Sequence, residues 1–93
     1  MATPHVPPYT LFTLAAARRQ LTQLRKTHNP NLKNIVAAIR SLADIPRPLG
    51  SRKLADRAGL RLRVSKYRIL YSVDDDRRTV TIIAIGHRRE VYR

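Results

Sequence analysis

The stretch that decides the fold is residues 60–73, LRLRVSKYRILYSV, in which the hydrophobic pattern has a period of two. LRLRV alternates strictly between apolar and basic side chains, and YRILYSV alternates almost as well after two intervening residues. A period of two is typical of β-strands, because successive side chains of a strand point to opposite faces of the sheet. The two segments therefore predict a β-hairpin with Ser65 and Lys66 in the turn.

The position of this turn sets which side chains lie opposite one another. Counting back from it places Arg63 opposite Arg68 and Arg61 opposite Leu70, all on one face of the sheet. The other face collects apolar core residues: Leu60, Leu62, Val64, Tyr67, Ile69 and Tyr71. Like charges opposed across strands destabilise a sheet, so three arginines on one patch predict an anion site that holds a phosphate. The alternative is a solvated face whose charge guards against aggregation.

Upstream of the hairpin, the hydrophobic period changes to that of helices. Apolar residues recur at three- and four-residue spacing in residues 14–24 and again in residues 32–43, and HNPN at 28–31 separates the two segments. A short break between two amphipathic helices predicts an antiparallel helical hairpin. YTLFT at 9–13 has the composition of a first strand.

Downstream of the hairpin, TVTIIAI at 79–85 is a dense apolar run that predicts a central strand buried on both faces. The elements together predict an α+β fold with two N-terminal helices, as a hairpin, packed on a twisted antiparallel sheet of about four strands. We expect one domain over residues 1–93, in which the proline-rich residues 1–8 form a flexible lead-in.

The composition of the chain is strongly basic. Nineteen Lys and Arg, fifteen of them arginine, against six Asp and Glu give a net charge of +13, which is typical of proteins that bind nucleic acid or an acidic partner. The absence of cysteine excludes disulfides and thiolate zinc sites, and no apolar stretch approaches the ~20 residues of a membrane span. We therefore expect a soluble, cytoplasmic protein.

The last residues, GHRREVYR at 86–93, follow the central strand directly. Because the strands at 67–73 and 79–85 are expected to be antiparallel neighbours, His87, Arg88 and Arg89 are brought towards Arg68. The sequence thus predicts that several arginines, a histidine and a tyrosine converge at one end of the sheet.

The ordered set of motifs resembles the RelE/ParE superfamily of type II toxins, and specifically its RelE-like branch. The matching residues span roughly 9–93 and include Arg61-Leu62-Arg63, Tyr67-Arg68-Ile69-Leu70-Tyr71 and the Gly86-His87-Arg88 start of a segment that reaches Tyr92. The resemblance implies an endoribonuclease that cuts messenger RNA, commonly in the ribosomal A site, and an antitoxin that neutralises it. It also implies that basic residues of the middle strands, an arginine after the sheet and a terminal tyrosine act on the scissile phosphate: Arg61, Arg63, Arg68, Arg88 and Tyr92.

RNA cleavage without a metal requires a proton acceptor, positive charge around the pentavalent phosphate and a proton for the leaving oxygen. Arginine supplies charge but cannot act as a base, which leaves His87 and Tyr92 as candidates for proton transfer, with Glu90 as a third possibility. We expect no metal or other cofactor. The predicted catalytic set is Arg61, Arg68, His87, Arg88 and Tyr92, and the predicted RNA contacts are Lys53, Arg63 and Arg89.

Two other functions compete with messenger RNA cleavage. One is a ParE-like toxin that poisons DNA gyrase, although that branch generally lacks the His-Arg…Tyr ending. The other is a basic module that binds RNA without cutting it. In the leading interpretation, messenger RNA and the ribosome are partners, and an antitoxin lays an acidic or amphipathic segment over the basic groove.

Overall fold

The structure, a computed structural model, describes residues 6–55 and 57–87 of the chain. Seven elements follow one another along it: β1 (Thr10–Thr13), α1 (Ala15–Lys26), α2 (Leu32–Ser41), β2 (Arg52–Lys53), β3 (Leu60–Val64), β4 (Tyr67–Asp74) and β5 (Thr79–His87). Neither helix in these ranges is long and apolar enough to cross a membrane. The α+β class expected from the sequence is confirmed.

The sheet has five strands in the order β1-β5-β4-β3-β2. β1 runs parallel to β5, whereas the other neighbours are antiparallel. The prediction of an antiparallel sheet of about four strands is therefore wrong in both strand count and direction. β5 lies between β1 and β4, which confirms its predicted central position, but only Val80, Ile82 and Ile85 are buried, so the predicted burial on both faces is wrong. The chain runs from β1 through both helices to β2 at the opposite edge of the sheet and returns through β3 and β4 to β5, which pairs with β1 in parallel. β2 has only two residues, too few to show a period in the sequence.

The register of the β3–β4 hairpin is the predicted one. Arg63 lies opposite Arg68, Arg61 opposite Leu70, and the remaining pairs follow in step to the end of β3. Ser65 in the turn has φ +56°, in the left-handed region that favours glycine. The two-residue turn and the strict alternation of β3 thus fix the register, since a slip by one residue would exchange the two faces.

A β-bulge explains why the apolar run of β5 does not alternate. The register of β4 and β5 shifts between Leu70 and Tyr71, so that Ile85 pairs with Ile69 while Ile82 pairs with Tyr71. Ile82 and Ile85 are three residues apart, yet both are buried in the same core. The bulge inserts the extra residue that keeps both isoleucines on one face.

Both helices pack on one face of the sheet. α1 lies against β5, α2 lies against β3 and β4, and the two helices also contact each other. The predicted antiparallel hairpin of the helices stays a prediction. The core between helices and sheet contains the following buried residues: Ala17, Leu24, Ile35, Ile39, Leu42, Ile69, Tyr71, Val80, Ile82 and Ile85. The opposite sheet face is left without helical cover from α1 or α2.

Candidate functional site

A concave pocket on the sheet face opposite the helices is lined almost entirely by arginines. Its volume is about 250 Å³, and we call it the arginine pocket. Its lining residues are Gly50, Arg52, Arg61, Arg63 and Arg68. None of these five residues is acidic, so the described lining of the pocket contributes only positive charge.

Sheet pairing brings the four arginines together. Arg63 and Arg68 are directly opposed across β3 and β4, and Arg61 shares their face two residues along β3. Arg52 pairs with Arg61 across β2 and β3. Opposed like charges cost a few tenths of a kcal/mol or more per pair, and a bound anion removes that cost. The arrangement therefore favours an anion with several oxygen atoms, which guanidinium groups bind with paired hydrogen bonds.

Two of the arginine side chains, those of Arg63 and Arg68, are constrained by their surroundings. Nε of Arg63 donates to the carbonyl oxygen of Ser65 at 3.0 Å. Nε of Arg68 is inaccessible to solvent, although the residue as a whole is only partly buried. Leu70, which pairs with Arg61 on this face, is only 2 % exposed. The hydrogen bond to Ser65 thus orients the guanidinium group of Arg63.

Arg52 was missed in the sequence, where the neighbouring Lys53 was predicted to contact RNA instead. Lys53 pairs with Leu60, whose side chain packs against the core, so Lys53 lies on the helix side of β2. There it lines a different cavity, together with Arg47 and Arg57. Arg52 and Lys53 differ by one residue and therefore by one face of the sheet. The structure brings Arg52 into the arginine pocket and does not bring Lys53 there.

His87 lies at the same end of the sheet as Arg68, but its side chain is on the helix face. Gly86 is the register partner of Arg68, and His87 is the register partner of Tyr67. The rings of Tyr67 and His87 meet edge to face, with centroids 5.9 Å apart and an interplanar angle of 79°. His87 also lines a cavity with Gln20 and other helix-side residues. The backbone next to His87 therefore reaches the arginines, while the imidazole does not. Its predicted role in proton transfer stays a prediction.

Three further predicted site residues, Arg88, Arg89 and Tyr92, lie outside the described residues. Their predicted roles stay predictions. Within residues 6–55 and 57–87, no group of three or more His, Cys, Asp and Glu side chains is placed to hold a metal ion.

A separate polar cluster anchors the segment that leads into the arginine pocket. Arg47 donates two hydrogen bonds to the carboxylate of Asp75, at 3.1 and 3.0 Å, and the hydroxyl of Tyr9 donates to the same carboxylate at 2.6 Å. The hydrogen bonds from Arg47 first, and from Tyr9 second, hold the pKa of Asp75 below its usual value. The cluster ties residues 45–51 to β1 and to the loop after β4.

Tyr71 provides a second anchor for the same segment. Its side chain is fully buried, and its hydroxyl donates to the carbonyl oxygen of Pro46 at 2.7 Å. Burial raises the pKa of this hydroxyl, so Tyr71 remains a hydrogen-bond donor at neutral pH. Because Gly50 and Arg52 follow shortly after Pro46, the two anchors fix one wall of the arginine pocket.

Residues 9–92 match the family model described as the ParE toxin of the type II toxin-antitoxin system parDE. Toxin RelG of Mycobacterium tuberculosis is 34% identical over 89 residues, which cover 92% of this chain and 98% of RelG. A chain in the crystal structure of the toxin-antitoxin complex RelBE2 of Mycobacterium tuberculosis is 32% identical, with a TM-score of 0.62 and coverage of 87% of this chain and 99% of that chain.

The isolated RelE toxin of E. coli is 30% identical, with a TM-score of 0.57 and coverage of 90% of each chain. The sequence match and the structural likeness both extend over most of the chain, from β1 through the hairpin that carries the arginines. The chain belongs to the RelE/ParE superfamily and is a toxin of a type II toxin-antitoxin system.

Proposed function

We propose that this toxin is a metal-independent endoribonuclease that cuts messenger RNA, in association with the ribosome and at its A site, and so inhibits translation. The observation that carries the proposal is the arginine pocket. Four guanidinium groups on one sheet face, with no acidic residue among the lining residues that the structure describes, match the charge of a phosphodiester that gains negative charge in its transition state. The likeness to RelG and to RelE of E. coli supports the same class of activity.

In the proposed reaction, the 2′-hydroxyl attacks the adjacent phosphorus and the 5′-oxygen of the next nucleotide leaves. Arg61 and Arg68 stabilise the charge on the equatorial phosphate oxygens, and Arg63 and Arg52 hold neighbouring phosphates. Arg88 adds to this charge, and Arg89 and Lys53 contact RNA outside the scissile position. Each of these roles follows from a fixed positive charge, and none requires an arginine to release a proton.

Proton transfer is assigned to His87 and Tyr92, because histidine titrates near neutrality and tyrosine can donate from a hydroxyl. RNA bound in the arginine pocket passes the end of β5 next to Gly86, one residue before His87. Since the imidazole lies beside Tyr67, its participation requires the RNA to cross the end of the strand or the side chain to turn. If neither occurs, His87 positions the end of β5, and Tyr92 performs the proton transfer.

A cognate antitoxin is the proposed protein partner. The RelBE2 relative was solved as a toxin-antitoxin complex, and the present chain carries a net charge of +13. An acidic or amphipathic segment laid over the basic groove would neutralise the arginine pocket and exclude RNA from it.

Poisoning of DNA gyrase is the second candidate function, and the match to the ParE toxin family model is the observation that favours it. The test adds purified toxin to translating ribosomes and maps the 5′ ends of the message, with gyrase and supercoiled DNA in a parallel assay. Cleavage in the A site that is lost in Arg68→Gln and kept in Arg19→Gln is expected. Arg19 is an exposed arginine of α1, and its replacement removes the same charge from another surface. Intact message together with gyrase-linked DNA breaks would replace the proposal by the second candidate. RNA that is bound but left intact would show a non-catalytic module.

A further inference from the structure

We infer that Phe12 is a stacking platform for an unpaired base of single-stranded RNA whose backbone is held by the arginine pocket. The inference rests on the proposed function and adds a second recognition element to the same sheet face. It concerns a residue of β1, which lies three strands away from β3 in the sheet order.

The sheet register places Phe12 on the face of the arginines. Phe12 pairs with Thr81 of β5, and Thr81 pairs with Ser72 of β4. Ser72 lies two and four residues beyond Leu70 and Arg68 on the same strand, and therefore on the same face as both. Leu11, the neighbour of Phe12, packs against the core under the helices, which confirms that the Phe12 ring points to the other side.

Phe12 is the only phenylalanine of the chain, and it is 53 % exposed. A single exposed apolar residue requires no explanation by itself. The position of Phe12 is what distinguishes it, because its aromatic ring lies on the sheet face that also carries four guanidinium groups. Aromatic side chains on an open sheet face stack unpaired bases in several classes of RNA-binding domain.

The surface between Phe12 and the arginine pocket is suited to an extended strand of RNA. Neighbouring strands are about 4.8 Å apart, so the three strand spacings between β1 and β3, with an offset of about two residues, separate Phe12 from Arg61 by roughly 16 Å. The residues on this face between them are Leu70, which is 2 % exposed, and the small or polar Ser72, Thr81 and Ala84. A few nucleotides can therefore lie across the face, with phosphates at the arginines and one base on the ring.

The two elements play different physical roles. Cations that track the backbone give binding that depends on salt, whereas a base stacked on an aromatic ring adds affinity that depends little on salt or base identity. The combination predicts a requirement for a minimum length of RNA, since a fragment too short to span the face can use the arginines alone.

The experiment measures the binding of 2′-O-methyl oligouridines of increasing length by fluorescence anisotropy. This backbone lacks the attacking hydroxyl, so binding is separated from cleavage. Phe12→Ala is compared with Phe12→Trp, which keeps an aromatic ring, and with Phe12→Thr, which keeps the strand propensity of β1. Ile45→Ala is the matched control, because Ile45 is a large apolar side chain of similar exposure, 62 %, in the loop after α2.

We expect Phe12→Ala and Phe12→Thr to weaken the binding of the longer oligouridines by about 5- to 100-fold, the effect of losing one stacked base. For both variants the slope of log K against log salt equals that of the wild type, and the shortest oligouridines bind with wild-type affinity. Phe12→Trp restores the affinity for the longer oligouridines. Ile45→Ala binds as the wild type at every length.

Two negative results have different meanings. If Arg68→Gln weakens binding while Phe12→Ala and Phe12→Thr match the wild type at every length, the inference about Phe12 is overturned and the proposed function stands. If neither Arg68→Gln nor the Phe12 variants change the binding, RNA does not use this sheet face, and both proposals fall. A loss of antitoxin binding by Phe12→Ala with unchanged RNA affinity would assign the ring to a protein interface and overturn the inference.

Discussion

Replacing Arg63 by glutamine removes one positive charge from the arginine pocket and tests whether that pocket binds phosphates. Arg63 is suited to the test because it is exposed, so that its removal leaves no hole in the core. Its neighbours Arg52, Arg61 and Arg68 remain in place. The expected change is therefore electrostatic, and thermal unfolding of the variant checks that the fold is kept.

The magnitude follows from the number of arginines in the pocket. Each phosphate neutralised on a single strand contributes about −0.7 to the slope of log K against log salt, so four arginines contribute about −2.8. Raising the salt from about 50 to about 200 mM then weakens that part of the binding roughly 50-fold. With three arginines the slope is about −2.1 and the loss roughly 20-fold. Charges elsewhere on the protein add to both slopes equally, so the difference of about 0.7 is the predicted quantity.

The assay is fluorescence anisotropy of a labelled 2′-O-methyl oligonucleotide, titrated with protein at several salt concentrations. Arg19→Gln, on the exposed surface of α1, loses the same charge away from the sheet face and is expected to keep the wild-type slope. An unchanged slope for Arg63→Gln, or an equal change in both variants, would refute the assignment of the arginine pocket as the phosphate site.

Three further predictions concern the scaffold of the site. His28 has φ +52° directly after α1, where its N–H and that of Asn29 bond back to Arg25 and Leu24, so His28→Gly should raise the free energy of unfolding by about 0.5–1 kcal/mol in urea titrations. Equal or lower stability would contradict a strain at this position. Tyr71→Phe removes the buried hydrogen bond to Pro46 and should cost about 1–2 kcal/mol, measured in the same way. An unchanged free energy of unfolding would show that the Tyr71 hydroxyl does not anchor residues 45–51. The folded-state pKa of Asp75 is lowered, first by Arg47, so its contribution to stability is present above the unfolded value of about 3.9 and disappears as the pH falls through the folded value. The unfolding midpoint of the wild type should therefore fall more steeply below about pH 4 than that of Asp75→Asn, and parallel curves would contradict the role of this carboxylate.

The hairpin of β3 and β4 could be predicted in full because the residues that determine it are adjacent in the sequence. A two-residue connection and a strict period of two leave one register, and that register alone places Arg61, Arg63 and Arg68 on one face. The helices could be predicted from their 3.6-residue period for the same reason. These elements carry most of the described site.

The remaining features depend on pairings between distant parts of the chain. β1 joins β5 in parallel although two helices and three strands lie between them in the chain, and no local pattern specifies that partner. β2 has two residues, so the choice between Arg52 and Lys53 for the pocket rests on a pairing that the sequence does not reveal. The face of His87 depends on the β4–β5 register, which includes a bulge. The expected antiparallel pairing of the two strands predicted the correct end of the sheet for His87, but not the face on which its side chain lies.

The proposed role of the arginine pocket is to stabilise the charge that develops on the scissile phosphate. The measurement is the single-turnover rate of message cleavage on programmed ribosomes with a saturating amount of toxin, so that differences in binding do not enter. We predict that Arg61→Gln and Arg68→Gln each lower this rate by about 100-fold or more, the effect of losing one preorganised donor at a transition-state oxyanion, whereas Arg19→Gln cleaves at the wild-type rate. Wild-type rates for Arg61→Gln and Arg68→Gln would contradict this role of the arginine pocket.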